Sequence, residues 1–369
     1  MSSHSRKPFT RRKAAIGVVL PLTLCSALAL AVNGFATTSS KPERSASDAA
    51  GKNAVVLEKD AQAFLDATVG LPPFRDLSAA EARKILEDAQ SGPVDKLPAD
   101  ISERTLPVGP TGEVSIRIVR PEGAKGKLPA VMYLHGGGWV LGDADTHDRL
   151  VRQIANGAHA AVVFVNYSRS PEARFPIAIE QAYAATRWVS QHGDEIGVDG
   201  ERLAVAGDSV GGNMSAAVTL MAKQRGGPAL RQQVLFYPVT DAKFDTPSYK
   251  QFANGFFLTR DNMQFFWDSY APDPKVRNDI LASPLRASLD QLKGLPKALV
   301  VTGEADVLRD EGEAYAAKLR AAGNDVTTIR NAGITHDYVM LDALSKTNAA
   351  RVAVDQATAA LRTAFDTES

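Results

Sequence analysis

From residue 113 onward the apolar positions fall into blocks of two alternating kinds. One kind is a short run, continuous or with every second residue apolar, which is the pattern of strands; the other repeats every three to four residues over ten or more positions, which is the pattern of amphipathic helices. Glu113 to Arg120 alternates, with Val114, Ile116 and Ile118 on one face. Ala130-Val131-Met132-Tyr133-Leu134 is apolar throughout, as a strand buried on both faces must be. Further strands are predicted at Ala160 to Val165, Arg202 to Ala206, Gln233 to Tyr237, Ala298 to Thr302 and Val326 to Arg330. Between and after them, helices are predicted at Thr146 to Gly157, Ile177 to Gln191, Val210 to Arg225, Glu311 to Ala322 and Ser345 to Phe365. This β-α-β rhythm defines an α/β fold, a mostly parallel sheet with helices on both faces.

Two stretches lie outside the rhythm. Ahead of it come two helical patterns, Val55 to Thr68 with apolar Val56, Phe64 and Leu65, and Ser78 to Gln90, separated by Leu71-Pro72-Pro73-Phe74. Ser78 followed three residues later by Glu81 reads as a capping box. The pair is too short to fold alone and is expected to pack on the main domain as part of a lid. Within the rhythm, about sixty residues separate Tyr237 from Ala298, far more than an ordinary connection. That interval carries Phe244, Tyr249, Phe252, Phe256, Phe257, Phe265, Phe266, Trp267 and Tyr270. Most of these serve to pack an inserted helix; as a group they predict an apolar insertion that covers a site and supplies a hydrophobic pocket.

Composition changes the picture mainly at the N-terminus. The chain has 369 residues and no formal net charge, but its first 36 residues hold Arg6, Lys7, Arg11, Arg12 and Lys13 and no acid. The remainder therefore carries 37 basic against 42 acidic residues, which argues against a nucleic-acid partner. Ala14 to Val32 are uncharged and mostly apolar, and Gly34 and Ala36 occupy the small-residue positions of a cleavage site, the layout of a secretory signal peptide. An uncleaved membrane anchor through residues 14–32 is the alternative, because nineteen residues reach the lower limit of a spanning helix. Arg11-Arg12 is a weak twin-arginine pattern, and Leu24 before Cys25 argues against lipidation. Cys25 is the only cysteine, so an exported chain has no disulfide, no cysteine nucleophile and no thiolate metal site. Residues 37–53 are Ser, Ala, Lys and Asp with almost no large apolar residue, a tether by composition.

The chemistry centres on Gly207-Asp208-Ser209-Val210-Gly211-Gly212, where a predicted strand meets a predicted helix. In G-x-S-x-G the serine stands at a sharp strand-to-helix turn, and Gly207 and Gly211 leave room for backbone that passes close by. A serine hydroxyl is a weak nucleophile, so a base, an orienting acid and an anion hole are required elsewhere. His135-Gly136-Gly137-Gly138-Trp139 follows the all-apolar strand, and consecutive glycines there aim backbone N–H groups outward. The expected oxyanion donors are the amides of Gly136, Gly137 and Val210, and His135 is expected to fix the loop with its ring turned away from the serine. The end of the Leu299 strand offers Glu304 and Asp306 as the acid, Asp306 being preferred; Asp310 with Glu313 reads as a helix capping box. Of six histidines, His4 lies in the leader and His147, His159 and His192 fall on or beside helices, where solvated or capping roles are expected. His336 lies in a loop after the last strand and completes the chain order Ser, Asp, His. There is no H-E-x-x-H motif, and no metal site is expected.

On the strength of His135-Gly136-Gly137-Gly138-Trp139, the Gly207 to Gly212 elbow, Asp306-Val307-Leu308-Arg309-Asp310-Glu311 and His336-Asp337-Tyr338, the sequence resembles the hormone-sensitive-lipase-like family of α/β-hydrolase carboxylesterases. The likeness covers about residues 100 to 366. It departs from the family pattern at Asn166-Tyr167-Ser168, where Asp-Tyr-Arg is usual, at Val210, where alanine is common, and at Asp337-Tyr338, where Gly-Phe is usual. The resemblance implies an eight-stranded α/β-hydrolase sheet, a helical cap built from the N-terminal helices and the insertion after the sixth strand, no cofactor, and a triad of Ser209, Asp306 and His336 acting on a small-molecule ester. The expected organisation is a leader at 1–36, a tether at 37–53, cap helices at 54–100, a catalytic domain at 101–242 and 281–369, and a cap insertion at 243–280. Short to medium acyl esters are the expected substrates. An amidase or acyltransferase using the same triad, or a non-catalytic ligand-binding protein on the same fold, are the alternatives.

Overall fold

The computed structural model describes residues 55–366, so the predicted leader and tether lie outside the described residues. Two helices come first, α1 (Lys59–Thr68) and α2 (Ala79–Ala89). The predicted capping box at the second is present, with Ser78 and Glu81 each bonding the other's backbone N–H. The first helix begins four residues later than its apolar pattern suggests. There the Glu58 amide donates to the Gly333 carbonyl at 2.7 Å, and its carboxylate accepts the Asn348 and Ala349 amides, so tertiary contacts claim the backbone before it can coil.

The sheet is built from β1 (Ala99–Leu106), β2 (Val114–Pro121), β3 (Leu128–Leu134), β4 (Ala161–Asn166), β5 (Val198–Asp208), β6 (Gln232–Phe236), β7 (Lys297–Ala305) and β8 (Val326–Thr335). Its spatial order is β1-β2-β4-β3-β5-β6-β7-β8, with β1 and β2 antiparallel to their neighbours and the pairs from β4 to β8 parallel. The connections carry α3 (Asp148–Ala158), α4 (Ile177–His192), α5 (Val210–Arg225), α6 (Pro247–Gln251), α7 (Arg260–Tyr270), α8 (Leu289–Leu292) and α9 (Arg309–Ala321), and α10 (Asn348–Phe365) follows the last strand. Helix α5 spans the residues its pattern predicts. β1 has no counterpart among the predicted strands: Asp100 to Glu103 are exposed, so no apolar alternation marks it, and its ladder to β2 holds it at the sheet edge.

Successive residues of the central strands supply opposite cores, as the strand period requires. Met132, Leu134 and Val205 join Ala182, Met214 and Val218 of α4 and α5 on one face. Val131, Tyr133 and Ala204 join Leu150 and Ile154 of α3 and Leu361 of α10 on the other. With both faces covered, the parallel strands leave their carboxyl ends as the place where loops meet, which is where such sheets bind ligands. β3 delivers His135 there, β5 Ser209, β7 Asp306 and β8 His336. The insertion between β6 and β7 and the N-terminal helices belong to the same compact unit as the sheet.

One sequence expectation fails in α9. Leu308 is its N-cap residue and Asp310 lies inside the helix, so Asp310 and Glu313 form no capping box. Asp310 instead accepts the Ser248 amide at 2.7 Å, and Glu313 binds Arg330. Long-range partners outcompete the local cap.

The tightest approach in the fold is at the start of α5. A Cβ on Gly211 would overlap the Leu134 carbonyl oxygen, and one on Gly207 would overlap the Gly211 backbone and that same oxygen. Gly211→Ala must therefore push α5 off β3, and a loss of about 1–3 kcal/mol is expected from overpacking. Urea unfolding of the variant beside the wild type measures it.

Candidate active site

β5 ends at Asp208 and α5 begins at Val210, leaving Ser209 alone in the turn, at φ 54° and ψ −119°. A side chain rarely occupies that conformation, and it persists only where the surroundings over-determine it. Here the Ser209 amide donates to the Phe236 carbonyl at 2.9 Å, and its carbonyl accepts the Asn213 and Val239 amides at 3.1 and 3.2 Å. The side chain is left standing off the strand end. Its Oγ donates to His336 Nε2 at 2.9 Å, and His336 Nδ1 donates to Asp306 Oδ2 at 2.7 Å. These tautomer roles follow from the network, since the carboxylate can only accept. Asp306 is aimed by its other oxygen, which accepts the Leu308 amide at 2.9 Å.

All three groups are buried. Burial alone would push the His336 ring down. The Asp306 carboxylate first, then Asp337, with the Asp306 hydrogen bond added, outweighs it and raises the ring to about 9. Glu304, the second candidate acid, does not reach the imidazole; its carboxylate accepts the Gly333 amide at 2.7 Å and ties β8 to β7.

The glycine loop corrects one predicted donor. The Gly136 N–H is taken, donating to Asp208 Oδ1 at 3.1 Å. In a trans peptide a carbonyl and the following N–H point opposite ways. The Gly136 carbonyl faces His135 Nδ1 at 2.8 Å, so the Gly137 N–H points away from that ring. The Gly137 carbonyl accepts the Val140 and Leu141 amides at 3.1 and 2.8 Å, so the Gly138 N–H points away from that turn. The amides of Gly137, Gly138 and Val210 have no acceptor among the described residues. The available donors are therefore Gly137, Gly138 and Val210, with Gly138 in the place expected for Gly136.

Behind the serine lies a second carboxylate–imidazole pair. Asp208, fully buried, accepts from the Tyr133 hydroxyl at 2.6 Å and lies 3.3 Å from His147 Nε2. Burial opposes its ionisation, but the His147 charge and the hydrogen bonds from His147 and Tyr133 prevail and hold it below the usual carboxylate range. His147 is raised in turn, its partner Asp208 outweighing burial. His147 does stand at the N-cap of α3, but its side chain neither caps nor meets solvent: it is buried and paired across 61 residues of chain with Asp208. No local pattern marks such a pairing. His135 contacts the loop carbonyl of Gly136 and is packed among aromatic rings. Its ring stacks on Tyr167 at 4.1 Å and on Phe164 at 5.3 Å, and burial, with the His147 charge nearby, pushes it down to about 3, so it stays neutral.

The aromatic insertion reaches this loop directly. Trp139 stacks on Tyr270 of α7 at 4.1 Å and meets Trp267 edge-on at 4.9 Å, while a Cβ on Gly138 would run into the Phe266 ring. Phe74 contacts Phe266 at 5.5 Å, Phe64 contacts Phe257 at 5.0 Å, and Arg75 is ion-paired with Asp261. The N-terminal helices and the insertion therefore pack on each other over the glycine loop. Among the described residues no cluster of three or more His, Cys, Asp or Glu is arranged to hold a metal ion.

A sequence profile of the alpha/beta hydrolase fold matches residues 131–340, which contain the glycine loop, Ser209, Asp306, His336 and the Asp208–His147 pair. The chain belongs to the α/β-hydrolase carboxylesterase family, the one that includes the hormone-sensitive-lipase-like esterases. Within that family it is a carboxylic ester hydrolase. It is similar to the carboxylic ester hydrolase LipN of Mycobacterium tuberculosis, 41% identical over 76% of this chain and 75% of that one. It is likewise similar to the ethyl acetate hydrolase of Pseudomonas putida, 36% identical over 74% and 86%. The crystal structure of a thermostable esterase from Pseudomonas putida superposes with a TM-score of 0.83 at 53% identity, covering 85% of this chain and 99% of that one.

The Asp208–His147 pair makes a stability prediction. Asp208→Asn removes the buried acceptor that His147, the Tyr133 hydroxyl and the Gly136 amide share and should cost about 1–3 kcal/mol in urea unfolding. Combined with His147→Gln the losses should fall short of additive by more than about 1 kcal/mol. Because Asp208 is depressed, its contribution is present above the ordinary carboxylate range and disappears as pH falls through its lowered value. Because His147 is raised, its contribution is full below the ordinary histidine range and disappears as pH rises through its raised value.

Proposed function

We propose that Ser209 is the nucleophile of an acyl-enzyme mechanism on short- to medium-chain acyl esters, with His336 as the base and Asp306 as its orienting acid. The observation that carries this reading is the unbroken hydrogen-bonded series from Asp306 Oδ2 through both nitrogens of His336 to Ser209 Oγ, at 2.7 and 2.9 Å. In the first half-reaction the Oγ–H bond breaks, its proton goes to His336 Nε2, and Oγ bonds the ester carbonyl carbon. The carbonyl oxygen becomes an oxyanion, and the unclaimed amides of Gly137, Gly138 and Val210 are the donors this chain offers it. His336 then passes the proton to the departing alkoxide. Water enters, gives its proton to Nε2 and attacks the acyl-enzyme carbon; the proton returns to Ser209 as the acid leaves.

The aromatic insertion packed over the glycine loop supports a covered acyl site and hence the preference for compact acyl groups. The name of the relative that hydrolyses ethyl acetate points the same way. Export is part of this proposal and rests on the leader at residues 1–36; N-terminal sequencing of protein recovered from an exported fraction should begin at Thr37.

Ser209→Ala should lower kcat for a p-nitrophenyl acyl ester by roughly 10⁴–10⁶ without loss of the folded state by circular dichroism. Retained activity would end the assignment. A series from acetate to palmitate should show kcat/KM peaking at the short to medium esters. The wild-type kcat/KM should rise with pH into the alkaline range, because the base must be neutral and the ring is raised to about 9.

A further inference from the structure

His336 is faced by a second carboxylate. Asp337 Oδ1 lies 3.2 Å from His336 Nε2, the nitrogen that also receives the Ser209 hydroxyl. Oδ1 has no accessible surface and no aligned hydrogen bond, although the side chain as a whole keeps 17% of its surface exposed. The contact is charge against ring nitrogen rather than a formed hydrogen bond. The backbone dictates this placement: Asp337 has φ 60°, and its carbonyl accepts the Met340 and Leu341 amides at 3.1 and 2.9 Å. Glycine would suit such a φ and carry no charge, whereas this chain places a carboxylate on the turn.

Other ionisable groups act on the pair from each neighbouring element. Asp306 and Asp208 add negative charge and His147 positive charge, while Tyr133 and Tyr237 are buried phenols. Arg149 binds the Val339 and Met340 carbonyls of the same turn. Burial pushes the Asp337 carboxyl up to about 6 against the opposing pull of His336, so it is ionised through the alkaline range where the enzyme is expected to work.

We propose that Asp337 is a positioning residue that stabilises the imidazolium form of His336 through Nε2 while that nitrogen carries the proton taken from Ser209. The inference rests on the reading of Ser209 and His336 under Proposed function. In the resting enzyme the Nε2 lone pair faces a carboxylate oxygen, which is unfavourable. Once the Oγ–H bond has broken and the N–H bond has formed, an N–H faces that oxygen, which is favourable. Asp337 takes no proton itself; the proton passes from Oγ to Nε2 and on to the leaving alkoxide. An interaction that strengthens between ground and transition states accelerates the step. The same interaction keeps the free enzyme protonated to higher pH and so moves the acid limb of kcat/KM upward.

The test is the pH profile of kcat and kcat/KM on p-nitrophenyl acetate for wild type, Asp337→Asn and Asp337→Gly, with Ser209→Ala alongside. Glycine suits the positive φ, so Asp337→Gly keeps the variant set readable even where Asp337→Asn unfolds. In either variant the acid limb should move down by about one pH unit, equivalent to tenfold in protonation, and the plateau kcat should fall about three- to tenfold. A variant that unfolds cooperatively yet keeps the wild-type acid limb, or shifts it upward, overturns the role of Asp337. Activity persisting in Ser209→Ala overturns the underlying mechanism instead, so the two failures are told apart.

Discussion

Everything at this site depends on one close approach, that of α5 to the end of β3 through Gly207 and Gly211. Backbone passes backbone there with no room for a Cβ, and this crowding holds Ser209 in a conformation its side chain would otherwise avoid. The parallel sheet supplies the rigidity, because β3, β5 and β6 are buried on both faces and cannot relax away from the contact. The strain of the turn is thus carried by the sheet core, and the hydroxyl projects from the strand end as a consequence.

The same region holds an unusual concentration of buried charge. Asp208 and His147 face each other behind the turn, while Asp306, His336 and Asp337 face each other in front of it. Each carboxylate is tolerated because donors surround it: Asp208 takes the Gly136 amide and the Tyr133 hydroxyl, Asp306 the Leu308 amide and the His336 ring. The rear pair also has a geometric effect. By engaging the Gly136 amide it fixes the start of the glycine loop, which leaves the next two amides as the ones without an acceptor. Carboxylate Oδ1 of Asp337 is the exception, buried and without an aligned donor.

Over the loop, the insertion and the N-terminal helices pack on each other through apolar rings. Trp139 stacks on Tyr270 and meets Trp267 edge-on, and the ring of Phe266 fills the space that Gly138 leaves. The missing side chain therefore does two things, exposing an amide and admitting the cap. This coupling ties the covering of the site to the geometry of the donors.

The hydrophobic period alone determined the parallel sheet, the position of α5 and the residues at the strand ends, because strand burial and helix capping are written in neighbouring side chains. That Ser209, Asp306 and His336 would meet was legible for the same reason: each follows a readable strand, and the fold gathers those strand ends. β1 was not legible, since an exposed edge strand is held by backbone ladders that leave no apolar mark. Nor were the partners of His147, Asp310 and the Gly136 amide, each settled by a group 60 or more residues away. A local pattern can say that a residue is polar and near a turn. Only the folded chain decides which distant donor or acceptor reaches it first, and that competition is what selected Gly138 over Gly136 and set Asp337 against the ring of His336.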